Sequence, residues 1–139
     1  MPVIKQHKIH QNDINDNERV TYVYYENEKE VGGDSLTKML RRNKGLNTLP
    51  LIVKKRAGME SASWIADKDC DYHITLFNKN YDVIHQRLLN NCLVVFPTEN
   101  MMSEEYSEDY FNKYSFEFTQ HLWPKISYIL REYLPKKFQ

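Results

Sequence analysis

Three short stretches combine β-branched, aliphatic and aromatic residues with almost no charge: Arg19-Val20-Thr21-Tyr22-Val23-Tyr24-Tyr25, Leu49 to Val53, and Cys92-Leu93-Val94-Val95-Phe96. Such composition reads as β-strand. The last two are apolar throughout, as expected when both faces of a sheet are covered. Val3 to His10 alternates loosely and reads as an edge strand, followed by the polar loop Gln11 to Asn17. A different period governs Ile74, Phe77, Tyr81, Ile84 and Leu88, which step by three or four residues and predict a helix. Asp67 or Asp69 would cap it, and Asn90-Asn91 ends it. A shorter helix is predicted from Asp34 or Ser35 to about Arg42, with Leu36, Met39 and Leu40 as its buried face. Pro124 suits the first turn of a last helix carrying Ile126, Ile129, Leu130, Tyr133 and Leu134. Ala57 to Ala66 reads as a loop pinned by Trp64, and Met101 to Thr119 as helical in part.

Strands that alternate with helices predict an α/β domain of three layers, a mixed sheet flanked by helices. At 139 residues the chain makes one such domain, 1–139. Residues 1–17 supply the edge strand and its loop, and 101–120 form a variable acidic and aromatic segment. Ligands of α/β sheets gather beyond the carboxyl ends of the strands. Tyr25–Ser35, Lys54–Trp64 and Pro97–Met102 would meet there. In the first of these, Gly32-Gly33 precedes a helix start, where close backbone approach and free N–H groups favour an anion. A plain tight turn explains the two glycines at least as well. Asp34 counts against a phosphate, since its carboxylate would occupy the same N–H groups. Neither a Walker pattern nor a Gly-x-Gly-x-x-Gly fingerprint occurs.

Composition narrows the class. Nineteen basic residues balance nineteen acidic ones, which argues against a general affinity for nucleic acid or anionic membrane. Two distant cysteines make neither a disulfide framework nor a four-ligand zinc site, so a reduced, cytoplasmic protein is expected. No stretch has the length of a membrane span, and the N-terminus carries no signal-peptide block.

Candidate chemistry is sparse. His7-x-x-His10 offers two metal ligands without a third and reads as exposed polar strand. His73-Ile74-Thr75 is half of a two-histidine phosphoesterase pattern without its second half, and His73 falls within a helix. His85 and His121 read as helix-surface residues. Cys92 reads as buried and inert in mid-strand, and Cys70 has no base beside it. Glu26, Asn27, Asp34 and Glu99 could share a cleft as acid or base, but no nucleophile or metal accompanies them. The expectation is therefore no catalytic residue and no cofactor.

Charge is nonetheless uneven. From Lys38 to Arg56 stand seven basic residues and no acidic one, and from Glu99 to Asp109 five acidic residues and no basic one. A solvated face is the usual meaning of such runs, but a basic patch could bind RNA, DNA or an acidic partner, and the acidic segment could mimic nucleic acid or dock on a basic surface. Tyr106, Tyr110, Phe111, Tyr114, Phe116 and Phe118 exceed what one helix face needs. Core packing is their first explanation and a protein interface the second. Glu104, Glu105, Tyr106, Tyr110 and Phe111 are the candidate interaction residues.

The order of these stretches resembles a family of small, largely uncharacterised bacterial and bacteriophage proteins with a layout similar to macro domains. Its members carry a Phe-Gly-Asp-Asn strand end and a Gly-Gly-Gln-Ala helix start. A Pro-Asn…Gly-Ile-Pro-Thr-Lys strand, a Tyr-Phe-x-Asp-x-Asp helix entry and a Val-Val-Ile-Pro strand before a glycine-rich loop follow. The matching stretches here are Val23-Tyr24-Tyr25-Glu26-Asn27, Gly32-Gly33-Asp34-Ser35, Leu46 to Lys55, Trp64 to Asp69 and Leu93 to Asn100, with Pro124-Lys125-Ile126 near the end. They span about residues 18 to 134. The resemblance implies a Rossmann-like, macro-like fold and a cleft for ADP-ribose or a related nucleotide. Asn27, Gly32, Gly33, Asp34, Lys54 and Thr98 are its candidate ligand-binding residues. Tyr25-Glu26-Asn27 replaces Gly-Asp-Asn, and Glu99, Asn100 and Met101 replace the last loop's glycines. Those were positions where backbone could wrap a phosphate.

Two expectations follow. One is a bacteriophage-type accessory protein, a non-enzymatic interaction module that meets a protein partner or a second copy in the cytoplasm, the host's if viral. The other is a nucleotide-binding domain with weak hydrolysis at most.

Overall fold

The computed structural model describes residues 3–6, 9–17, 19–33, 35–55, 70–97 and 116–133. Four strands form one sheet: β1 (Val3–Gln6), β2 (Val20–Asn27), β3 (Thr48–Lys54) and β4 (Leu93–Pro97), in the order β1-β4-β2-β3. Among the described residues three α-helices accompany them: α1 (Ser35–Arg42), α2 (Cys70–Leu89) and α3 (Phe116–Tyr133). A 3-10 turn at Gln11–Asp13 follows the first strand. The sequence placed every one of these strands and helices within a few residues, except the start of α3.

Every described ladder is parallel, which corrects the expected mixed sheet. The cause lies in the connections. Each strand is followed by a long crossover rather than a tight hairpin, so successive strands run the same way. Val3 to Gln6 indeed forms an edge, against β4, and the opposite edge is β3.

Alternation along β2 and β4 sends side chains to two cores. Val23, Val94 and Phe96 pack with Leu51 and Val53 against Phe77, Tyr81, Ile84 and Leu88 of α2 and Ile126 and Ile129 of α3. Tyr22, Tyr24 and Val95 point the other way, onto Leu36 and Leu40 of α1 and onto Ile9 and Ile14. Helices thus cover both faces of the sheet. The predicted apolar positions of α2 are all in or against the first core, including Ile74. Polar contacts stitch α2 to α3: His121 Nε2 and Lys125 Nζ each donate to Asn78 Oδ1 at 2.8 Å, and Tyr81 Oη donates to the Lys125 carbonyl at 3.2 Å.

Three local readings change. Pro124 stands inside α3, not in its first turn. A proline forfeits one main-chain hydrogen bond, yet the contacts of His121 before it and of Ile126 and Ile129 after it hold both halves of the helix against α2. Cys92 precedes β4 and is half-buried, not in mid-strand. His85 and His121 belong to the α2–α3 seam rather than the free surface, His85 lying edge-on to Tyr128 and Tyr133.

Candidate functional site

Because β2, β3 and β4 are parallel, Asn27, Lys54 and Pro97 mark the same end of the sheet. Asn27 and Lys54 are partners in the β2–β3 register, just past an irregularity between Glu26 and Asn27. Bulges of this kind re-aim side chains at strand ends. Here the consecutive side chains of Glu26 and Asn27 meet instead of pointing to opposite faces: Asn27 Nδ2 donates to Glu26 Oε1 at 3.3 Å and to the Val31 carbonyl at 2.9 Å. Asn27 is thereby a clip across the loop that follows β2. Its Oδ1 is buried and lacks a hydrogen-bond partner.

Gly32 and Gly33 lie in that loop, exposed, with φ of +67° and +90°. A side chain at Gly33 would also press on the Thr37 methyl at 3.4 Å. Their positive φ alone accounts for both glycines. Lys54 is half-buried at the end of β3. Asp34, Thr98, Glu104, Glu105, Tyr106, Tyr110 and Phe111 lie outside the described residues, as do the loop 57–66 and Glu99. The structure therefore sets Asn27 beside Lys54 in the sheet and ties Asn27 to the loop that carries the two glycines.

Sequence reasoning named Glu26 as a candidate acid or base but passed over Glu28, Glu30 and the pairings of all three. Glu26, Glu28 and Glu30 occupy alternate positions as the chain leaves β2, and each meets a cation or histidine from a different element. Glu26, whose side chain is 0% exposed, takes a bidentate pair from Arg41 of α1, with Nε at 2.6 Å and Nη2 at 2.7 Å. Two parallel N–H bonds are the strongest geometry available to a guanidinium and a carboxylate. Glu28 accepts from Nε2 of the buried His73 of α2 at 2.9 Å. That hydrogen bond, with one from Tyr72, holds the Glu28 carboxyl below the usual carboxylate range. Glu30, in the left-handed region at φ +56°, meets Lys44 at 2.5 Å. His73 is thus a structural partner of Glu28. The period-two spacing of the three glutamates was visible in the sequence, but their partners lie 14 to 45 residues away.

Tyr24 lies against the Glu26–Arg41 pair. Burial, reinforced by Glu26 and Glu30, raises its phenol well above the ordinary value, so it is neutral. Its hydroxyl is buried without a hydrogen-bond partner. Among the described residues no group of three or more His, Cys, Asp or Glu is arranged to hold a metal, and no helix is long and apolar enough to cross a membrane.

A second region lies along the outer edge of β3. A groove of about 660 Å³ runs beside it, with Leu49, Pro50 and Ile52 on one side and Tyr72, Leu76 and Lys79 of α2 on the other. Tyr22 N–H donates to the Asn47 carbonyl, so Thr48, Pro50 and Ile52 turn their main-chain groups away from β2 and toward this edge. Pro50 has no N–H to offer there, and its carbonyl accepts from Asn80 Nδ2 at 2.8 Å. This is how an edge strand is kept from continuous pairing with another strand.

The chain belongs to a family of unknown function, DUF7831, whose model matches residues 4–108. The match takes in β2, β3, β4, α1, α2 and all of β1 but Val3, and stops short of α3. No curated protein and no solved structure gives a significant match.

Proposed function

We propose that this domain is a non-enzymatic interaction module, a bacteriophage-type accessory protein built on a macro-like scaffold. The observation that carries the reading is the internal pairing at the carboxyl end of the sheet. Among the described residues, Glu26, Glu28 and Glu30 at that end of the sheet are engaged by Arg41, His73 and Lys44 respectively. A general acid or base must present its proton site to a substrate. Carboxylates bound to neighbouring elements instead make a stiff loop, and a rigid surface suits recognition. The basic stretch tells the same story, since Arg41 and Lys44 spend their charge within the domain.

A second reading, an ADP-ribose-like or other nucleotide in the cleft of Asn27, Gly32, Gly33 and Lys54, is favoured by one observation. The buried Oδ1 of Asn27 has no hydrogen-bond partner, and a ligand hydroxyl or amine would supply one. Calorimetry with ADP-ribose, NAD, cyclic dinucleotides and mononucleotides separates the two. The interaction module gives a flat panel. Heat of binding that disappears in Asn27→Ala would replace it with the nucleotide reading. Titration well below the melting temperature is needed, because Asn27→Ala also removes the clip to Val31, worth about 1 kcal/mol.

A further inference from the structure

The groove along β3 has its own chemistry, apart from the candidate residues around Asn27. Its walls are apolar, with Leu49, Pro50, Ile52 and Leu76, and its rim exposes Leu46 and Tyr72, at 44% and 57%. Five charged residues line it: Glu28, Glu30, Lys44, Lys79 and Arg87. Glu30 is paired with Lys44, and Glu28 is held by a hydrogen bond from His73, so three cations stand against two carboxylates along the lining. Arg87 donates to the hydroxyl of Thr21, a neutral acceptor, and Lys79 is exposed. What the groove shows to a visitor is therefore an apolar floor flanked by Lys79 and Arg87, in a lining of net positive charge. Aromatic side chains for such a floor and acidic ones for such a rim describe a particular kind of peptide. This chain's own sequence contains one. Residues 99–109 hold five acidic residues and no basic one, and Tyr106, Tyr110 and Phe111 stand among or beside them.

We propose that the β3–α2 groove is a docking site for the acidic, aromatic stretch 99–111 of a second copy of this chain. The assignment rests on the interaction-module reading and gives it a partner. Pro50 and the Asn80 cap on its carbonyl shape the contact: the visitor docks by side chains rather than by adding a full strand to the sheet. Specificity then comes from Lys79 and Arg87 at the rim and from the apolar floor between them.

Two measurements test it. A fluorescent synthetic peptide of residues 99–111 is titrated with the full chain, and the chain alone is followed by sedimentation over a concentration series. The expected results are saturable peptide binding and concentration-dependent self-association. Lys79→Glu should weaken both by about tenfold, and raised salt should weaken both further. Leu46→Ser, at an exposed turn position, should weaken peptide binding by about fivefold with the melting temperature unchanged. Pairing Lys79→Glu with Glu104→Lys and Glu105→Lys should restore self-association. A peptide that does not bind, or binds Lys79→Glu and wild type alike, overturns the groove. A peptide that binds while the full chain stays monomeric overturns the second copy as occupant. Neither failure touches the interaction-module reading itself, which falls only to nucleotide binding abolished by Asn27→Ala.

Discussion

The two faces of the sheet are covered by different chemistries, although the same strands supply both. Toward α2 and α3, β2 and β4 contribute Val23, Val94 and Phe96, and the core there is built of aliphatic and aromatic groups. Toward α1, β2 contributes Tyr22, Tyr24 and then Glu26, and burial becomes progressively more polar along the strand. The first face holds the domain together. The second ends in a buried ion pair and an unpartnered hydroxyl, which contribute little net stability and fix one geometry. The lesson is that shape at the carboxyl end is set by directional polar contacts, while stability is set on the opposite face.

The contrast can be broken most severely from the polar side. Arg41→Ala leaves the Glu26 carboxylate buried without its cation, and urea unfolding should register a loss of about 3–5 kcal/mol. The double variant Glu26→Gln with Arg41→Met should recover much of that loss, because no charge is then buried. If the double variant is no better than Arg41→Ala, packing rather than charge governs this face. On the apolar side, Phe77→Ala removes a fully buried ring, with an expected cost of about 3–4 kcal/mol and no rescue by any polar partner.

A smaller effect separates the faces by pH. Glu28 has a depressed carboxyl in the folded state, so its contribution is fully present above the unfolded value, ~4.3, and is lost as pH falls through the lower folded value. Melting curves between neutral and acid pH should show His73→Gln losing about 1.5 kcal/mol at neutral pH and less in acid, where wild type has lost the same contribution. A deficit that stays constant with pH would mean that His73 acts by packing alone. The smallest change expected is at Tyr24. Tyr24→Phe deletes a hydroxyl that has no partner, and the melting temperature should hold steady or rise, by up to about 1 kcal/mol of added stability. A marked loss would reveal a hidden acceptor.

The helices and strands were legible because each is a local pattern. The step of three or four residues from Ile74 to Leu88 became α2, and the apolar stretch Leu93 to Phe96 became β4, since periodicity reports directly which side chains face a core. The start of α3 was misplaced for an equally local reason: Pro124 has the residue identity of a helix start, and only contacts with α2 let the helix run through it. The candidate site was legible in part. Asn27 and Lys54 do meet at one end of the sheet, as a parallel arrangement requires. Glu28 with His73, and the groove beside Pro50, left no such trace.

What the sequence by itself determined is the α/β class, the apolar faces and the turn at Asn90-Asn91 that ends α2. Each follows from preferences acting over a few residues. Tertiary structure alone decided that every described ladder is parallel, that β3 is an edge with Pro50 turned outward, and that three successive glutamates find partners on α1, the α1–β3 turn and α2. Those outcomes depend on which distant segments come together, and ion pairs and edges are properties of that assembly rather than of any stretch of chain.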